Sequence, residues 1–349
     1  MKKFSDFSEE INKCSNCGKC QEICPIYKLT GNDCAVSKGK FIMLKGVLKG
    51  DLRFSKTVEK YLDICLRCGK CSDFCPSGID ACEIFNYAKS ECLERSFSGK
   101  FIKFLQSEQI YSNLLKLGKI FKRKKYSYDG VTKLLYFKGC VNELFPSCEN
   151  AVKKILNNYD VQLIEKDFDC CGLPFLSSGN IERYEVAKQR NLKMLESDYN
   201  YIITDCASCE STISKYNNDL KVINVCRFLA DQNKKFVFDK SYKVTYHKPC
   251  HLKDDSFLKP LFAKCENVEY IEARNYDDCC GFAGEFGLKN AKLSSKMIKN
   301  KVDNLLDTGA DIVLTSCPSC ILGIKKGLLG RGQTKVMNIV EFLAMAKIM

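Results

Sequence analysis

Two stretches, CSNCGKCQEICP (Cys14–Pro25) and CLRCGKCSDFCP (Cys65–Pro76), each set four cysteines at intervals of three, three and four residues and close on a proline. Thiols this dense bridge one another, hold a metal ion, or hold a cluster that moves electrons. Zinc sites favour C-x2-C pairs parted by a longer loop, a pattern that four thiols within eleven residues do not offer. Bridging suits short secreted chains, whereas this one has 349 residues and opens on MKKFSDFSEEINK, which lacks the apolar core of an export signal. The expectation is a cytoplasmic chain whose reduced thiols hold iron and sulfide.

C-x2-C-x2-C-x3-C-P is the spacing of two-cluster ferredoxins. Three thiolates of a tight turn converge on one cubane, and the fourth cysteine, entering a helix, points toward the other. One cubane [4Fe–4S] cluster is therefore expected on Cys14, Cys17, Cys20 and Cys75, and a second on Cys65, Cys68, Cys71 and Cys24. Gly18 and Gly69 permit close backbone approach, and Pro25 and Pro76 fix the chain beyond the fourth ligand. Between the blocks, KGKFIMLKGVLKGDL (Lys38–Leu52) places Phe41, Leu44 and Leu48 at helical spacing, so this module is expected to be expanded and mainly helical.

The rest of the chain repeats itself with a period of about 110 residues. KLLYFKGC (Lys133–Cys140) matches KVTYHKPC (Lys243–Cys250), DCCGLPF (Asp169–Phe175) matches DCCGFAG (Asp278–Gly284), and YIITDCASC (Tyr201–Cys209) matches DIVLTSCPSC (Asp311–Cys320). Apolar strands alternating with helical stretches argue for α/β layers with parallel sheets, whose ligands sit beyond the carboxyl ends of strands. Cys140 and Cys206 lie at such ends, as do Cys250 and Cys317. A turn at Gly172 or Gly281 can bring two adjacent cysteines to one site. Five recurring cysteines per repeat exceed what zinc or one cubane uses, and suggest an unusual iron–sulfur centre. The two histidines, His247 and His251, flank Cys250 and are candidates for a hydrogen bond to that centre or for a proton relay. Cys34, Cys82, Cys92, Cys148, Cys226 and Cys265 have no readable partner spacing and are assigned to packing.

These motifs require a multi-domain protein: a helical two-cluster ferredoxin-type domain over 1–96, an amphipathic connecting helix over 97–130, and two tandem α/β cysteine-rich CCG domains over 131–238 and 239–349. Phe101, Phe104, Leu105, Tyr111, Leu114, Leu115 and Phe121 can share one face of the connecting helix, which ends in KRKK (Lys122–Lys125). Two roles fit it: a linker packed between domains, or a peripheral foot on an anionic membrane surface, at the inner face of the cell membrane. No apolar run approaches the roughly 18–20 residues of a membrane span. The formal charge of +13 is mostly dispersed lysine and falls by about two for each bound cubane, so specific nucleic-acid binding is not expected. No dinucleotide fingerprint occurs, since GFAGEFG (Gly281–Gly287) is not G-x-G-x-x-G and follows a cysteine motif rather than a strand.

Over nearly its whole length the chain resembles the iron–sulfur subunit of glycolate oxidase and its relatives. These include the iron–sulfur subunits of anaerobic glycerol-3-phosphate dehydrogenase and lactate-utilisation systems, and the heterodisulfide reductase subunit with both ferredoxin and CCG modules. CPIYKLTGN, SKGKFIMLKGVLKG and CLRCGKCSDFCPSGID are most similar to the glycolate oxidase subunit. The resemblance implies an oxidoreductase subunit that takes electrons from an FAD-containing 2-hydroxy-acid dehydrogenase, for glycolate or D-lactate, and passes them toward quinone or another acceptor. Both CCG sets are complete, as in heterodisulfide reductase, where each holds a noncubane [4Fe–4S] cluster that cleaves a disulfide. That likeness implies one or two further noncubane clusters on Cys140, Cys170, Cys171, Cys206 and Cys209 and on Cys250, Cys279, Cys280, Cys317 and Cys320. The alternative function it implies is disulfide reduction by this chain itself.

Overall fold

The computed structural model of the chain describes residues 2–95, 97–116 and 123–349, which divide into two compact units. The first comprises Met1–Ile110 together with two later segments, Pro174–Tyr184 and Ala283–Ser294. Helices Ser37–Lys49, Lys56–Asp63 and Ala81–Arg95 form its frame. Phe41 and Leu44, apolar at helical spacing, are buried with Val58, Leu62, Ile84 and Phe85, while Leu48 packs against them partly exposed. The later segments are built in: Ile181 joins this core. Lys89 pairs with Asp63 at 2.9 Å and Glu285 at 3.1 Å, and Lys289 pairs with the same Asp63 at 2.8 Å.

The second unit holds Tyr111–Leu173, Glu185–Phe282 and Ser295–Met349. Its first sheet has four parallel strands, β1 (Thr132–Tyr136), β2 (Val161–Glu165), β3 (Tyr201–Thr204) and β4 (Val222–Asn224), in the order β2-β1-β3-β4. Its second sheet repeats that order as β6-β5-β7-β8, from β5 (Phe236–Tyr246), β6 (Cys265–Tyr270), β7 (Ile312–Thr315) and β8 (Lys335–Asn338). A short β9 (Lys347–Ile348) pairs antiparallel with β5. The central strands are apolar on both faces, as covered parallel sheets require: Leu134, Leu135, Ile202, Ile203, Val313 and Leu314 are all fully buried. The sequence junction at 238/239 lies inside β5.

In both sheets the strand order reverses between the first and third strands, so the chain leaves their carboxyl ends toward opposite sides and opens a crevice there. Cys140 and Cys206 follow β1 and β3, and Cys250 and Cys317 follow β5 and β7.

The stretch read as one connecting helix is two, Phe97–Leu105 and Glu108–Lys116, followed by irregular chain from residue 123. The break falls at Gln106, whose side-chain carbonyl accepts from Ser178 Oγ at 3.1 Å and Asn180 Nδ2 at 3.0 Å. Phe101, Phe104 and Leu105 are exposed. Phe121, Lys122 and the side chains of Leu114 and Leu115 lie outside the described residues. In the KRKK run, Arg123 is engaged with Glu149 and Glu143, each at 2.9 Å. No helix among the described residues is long and apolar enough to cross a membrane.

Candidate metal centres

The two cysteine blocks adopt one backbone device twice. Asn16 and Arg67 have φ of 58° and 57°, and Gly18 and Gly69 have φ of 83° and 77°. Two left-handed residues on either side of the second cysteine curl each loop, and glycine takes the second of them without steric cost. Short helices Lys19–Ile23 and Lys70–Asp73 follow. Cys24 then opens helix Pro25–Thr30, with proline in its first turn. Cys75 instead lies in a turn closed by the Gly78 N–H on the Cys75 carbonyl at 3.0 Å, so of the two fourth cysteines only Cys24 enters a helix.

Two cavities result, of about 440 and 420 Å³ counting their mouths. The first is lined by Cys14, Cys17, Cys20 and Cys75, and the second by Cys65, Cys68, Cys71 and Cys24. Cys71 reaches the first as well. Each cavity therefore has three cysteines of one block and the fourth cysteine of the other in its lining.

An all-sulfur donor set suits an iron–sulfur cluster. So does the charge: Lys40 lines the second cavity, is 2% exposed, donates to the Ala35 carbonyl and lies over the Phe85 ring. Neither partner neutralises a buried ammonium, so an anionic group in the cavity is its natural counter-charge.

Cys82, assigned to packing from the sequence, lines the second cavity. The Cys71 thiol donates to it, which draws the Cys82 thiol down to about 7. Asp80 Oδ1 caps the start of helix Ala81–Arg95 by accepting from the Cys82 and Glu83 N–H groups at 3.1 and 3.2 Å. A cysteine two residues beyond an aspartate at a helix start was the available signal.

In the second unit each repeat gathers its five thiols in the same order. Cys140 meets Cys170 (Sγ–Sγ 3.4 Å), Cys170 meets Cys171, Cys171 meets Cys209, and Cys209 meets Cys206. Likewise Cys250 meets Cys279, Cys279 meets Cys280, Cys280 meets Cys320 (3.5 Å), and Cys320 meets Cys317. Gly172 and Gly281, with φ of 83° and 80°, make the turn that lets adjacent cysteines face different neighbours. The second cysteine of each adjacent pair is drawn toward the thiolate: bonds from Cys170 and then Cys209 pull Cys171 down to about 6, and bonds from Cys279 and then Cys320 hold Cys280 well below the usual range, while a bond from Cys320 also lowers Cys317. Room for this packing is built into the backbone, since a Cβ on Gly139 would stand 3.0 Å from Cys209 Sγ. All 24 cysteines are free thiols.

The repeats differ around these thiols. In the first, Tyr111 bonds to Cys140 and Cys170, and buried Asp205 accepts from Tyr136 at 2.9 Å and from Asn142 at 2.9 and 3.0 Å. Burial pushes the Asp205 carboxyl up to about 6. In the second, Ser316 replaces that aspartate and bonds with Tyr246 at 2.9 Å. His247 is fully buried next to Cys280, and burial holds its pKa below the ordinary value. His251 is half-buried, and its Nδ1 lies 3.0 Å from Ser208 Oγ, itself 3.7 Å from Cys317 Sγ. Ser208 belongs to the first repeat and His251 to the second, so no reading of either repeat alone would pair them.

A helical module with two thiol-lined cavities and two parallel α/β repeats with five-thiol sites define an iron–sulfur electron-transfer protein. The 4Fe-4S dicluster domain model matches residues 10–79, and the cysteine-rich domain (CCG) model matches 134–214 and 244–325. The chain belongs to the family of iron–sulfur oxidoreductase subunits that includes a subunit of the fumarate reductase (CoM/CoB) of Methanothermobacter marburgensis, with which it is 30% identical over 97% of this chain and 73% of that one. It is also similar to a subunit of the dihydromethanophenazine:CoB–CoM heterodisulfide reductase of Methanosarcina barkeri (24%, covering 97% and 94%). A third relative is the probable glycolate oxidase iron–sulfur subunit of Bacillus subtilis (22%, covering 95% and 92%). A hypothetical protein from Helicobacter pylori shares the fold, with a TM-score of 0.55 and 11% identity over 89% of this chain and 67% of that one.

Proposed function

We propose that this chain is the subunit of a two-part oxidoreductase that joins thiol–disulfide chemistry at its CCG centres to single-electron exchange with an FAD-bearing partner subunit. The observation that carries the reading is the complete five-thiol grouping in both repeats. Two relatives with names that specify CoM and CoB support it. The ferredoxin-type ligands are Cys14, Cys17, Cys20 and Cys75 and then Cys65, Cys68, Cys71 and Cys24. The CCG ligands are Cys140, Cys170, Cys171, Cys206 and Cys209 and then Cys250, Cys279, Cys280, Cys317 and Cys320. Clusters bound there would supply one-electron storage and a thiophilic iron for substrate sulfur.

The half-reaction RSSR′ + 2 e⁻ + 2 H⁺ ⇌ RSH + R′SH needs two electrons brought together and two protons. The repeats are joined beside their thiols by one main-chain bond, Ala207 N–H to the Ser316 carbonyl at 2.8 Å, between residues adjacent to Cys206 and Cys317. His251 shares a hydrogen bond between Nδ1 and Ser208 Oγ, is half-buried, and so serves as the relay. His247 is too deeply buried for that role.

A second reading is supported by the likeness to the glycolate oxidase subunit: a relay from a flavoprotein that oxidises glycolate or D-lactate toward quinone or another acceptor. Anaerobically reconstituted full-length protein separates the two. Disulfide reduction with a reduced viologen as donor, on a protein with about 16 irons, is the expected result. Iron stopping near 8, no thiol chemistry, and a co-purifying hydroxy-acid-oxidising flavoprotein would establish the second reading instead. In the same material Cys82→Ala should keep full iron yet lower the midpoint potential of one ferredoxin-type centre: with Cys71 bound as a thiolate the Cys82 thiol becomes the donor to it, and hydrogen bonds to cluster sulfur raise the potential. Redox titration followed by EPR checks this.

A further inference from the structure

Tyr246 and His247 close β5 as Tyr136 and Phe137 close β1, so an imidazole in the second repeat occupies the place of a phenyl in the first. Phe137 is an ordinary core residue, 0% exposed. An imidazole in such a pocket loses the hydration of two ring nitrogens, at about 1–3 kcal/mol for each one left unsatisfied. His247 is equally buried, and its ring has only Cys280 Sγ and the Tyr276 carbonyl within reach, neither in good hydrogen-bond geometry.

One nitrogen lies instead with Cys280 Sγ and Cys320 Sγ in a triangle with no side longer than 4.8 Å, the sulfurs being 3.5 Å apart. Metal–nitrogen and metal–sulfur bonds of roughly 2.0–2.3 Å place tetrahedral donors roughly 3.3–3.8 Å from one another, so a small contraction closes this triangle on one ion. The backbone keeps the ring in place: His247 N–H donates to the Leu314 carbonyl at 2.8 Å and Lys248 N–H to the Tyr276 carbonyl at 3.1 Å.

We propose that His247 is a nitrogen ligand of the iron centre in the second repeat. The donor set there is then five cysteines and one histidine, where the first repeat has five cysteines and Phe137 at the matching position. The inference rests on the reading that the second repeat holds iron. Its consequence is inequivalence: a neutral imidazole donor raises the potential of an iron–sulfur centre, as histidine does where it replaces thiolate in Rieske-type clusters.

Histidine occurs only at 247 and 251, so feeding 15N-histidine labels two residues and no others. Pulsed EPR of the full-length reconstituted protein should show a nitrogen coupling of directly bonded strength that changes with the label. The coupling should persist in His251→Gln and vanish in His247→Phe, a substitution the first repeat already accommodates. His247→Phe should also keep its iron and lower the potential of one centre. If it fails to fold, persistence in labelled His251→Gln alone assigns the coupling to His247. Full iron with no coupling, with one of only hydrogen-bond strength, or with one lost in His251→Gln overturns the proposal. An iron content unchanged by Cys280→Ser would instead show no iron in the second repeat, and would overturn the underlying reading with it.

Discussion

Cys171→Ser and Cys280→Ser should each lose about four irons and at least about a hundredfold of thiol-linked activity, because even outer-shell changes at metal sites cost roughly 10–100-fold. Each of these cysteines is the middle of its five-thiol chain. Cys171 takes bonds from Cys170 and Cys209, and Cys280 from Cys279 and Cys320. Those bonds favour the thiolate, the form that binds metal. A serine hydroxyl keeps the shape but ionises far less readily and is a hard donor, so it holds iron poorly. Cys226→Ser and Cys265→Ser are the matched controls, since both sulfurs are buried in the core between the sheets and neither belongs to a five-thiol grouping. Iron analysis checks this: equal loss from the controls, or none from Cys171→Ser, would refute the assignment.

Glu149→Ala should cost about 3–5 kcal/mol of stability, the usual consequence of breaking a buried charge network from one side. Its side chain is 1% exposed and bonds to Arg123 at 2.9 Å and to Lys153 at 2.7 Å, and Lys153 reaches Glu165 at 2.7 Å. Burial alone would push the Glu149 carboxyl up, but the Lys153 and Arg123 bonds outweigh it and hold it below 4.5. Burial would lower Lys153, but Glu149 and Glu165 outweigh that and hold it above 10.5. A depressed carboxyl stabilises fully above its unfolded pKa and loses that contribution as pH falls through the native value. A raised ammonium stabilises fully below its unfolded pKa and loses it as pH rises through the native value. The network is therefore complete between about 4.5 and 10.5 and weakens at either end. Urea unfolding of wild type and Glu149→Ala at pH 7 and at pH 4 tests the sign, since the gap between them should narrow in acid. Glu149→Leu combined with Lys153→Met should recover most of the loss, because well-packed apolar pairs often match buried ion pairs.

Much of the site was legible because cysteine spacing is a local code. The three-three-four intervals marked the two blocks whose thiols line two cavities, and a repeat of about 110 residues marked two sheets of identical order. What escaped was whatever depends on distant chain meeting. Cys82 has no informative spacing and enters the second cavity only because helix Ala81–Arg95 starts there. Ser208 finds His251 across two repeats, and Tyr111 reaches Cys140 and Cys170 from a stretch read only as an amphipathic face. The break at Gln106 was hidden for the same reason, since the groups holding it, Ser178 and Asn180, lie over 70 residues away.

The segments Pro174–Tyr184 and Ala283–Ser294 follow directly on the two Cys-Cys-Gly turns, yet they belong to the helical unit. That gives synthesis on the ribosome an order. The first 110 residues emerge early but lack two strips of their own wall, and Asp63 and Lys89 must wait for Glu285 and Lys289 to be translated. The helical unit thus closes only after residue 294 has been made. A gene fragment ending at residue 110 would encode all eight ferredoxin-type cysteines but not the fold that shelters them.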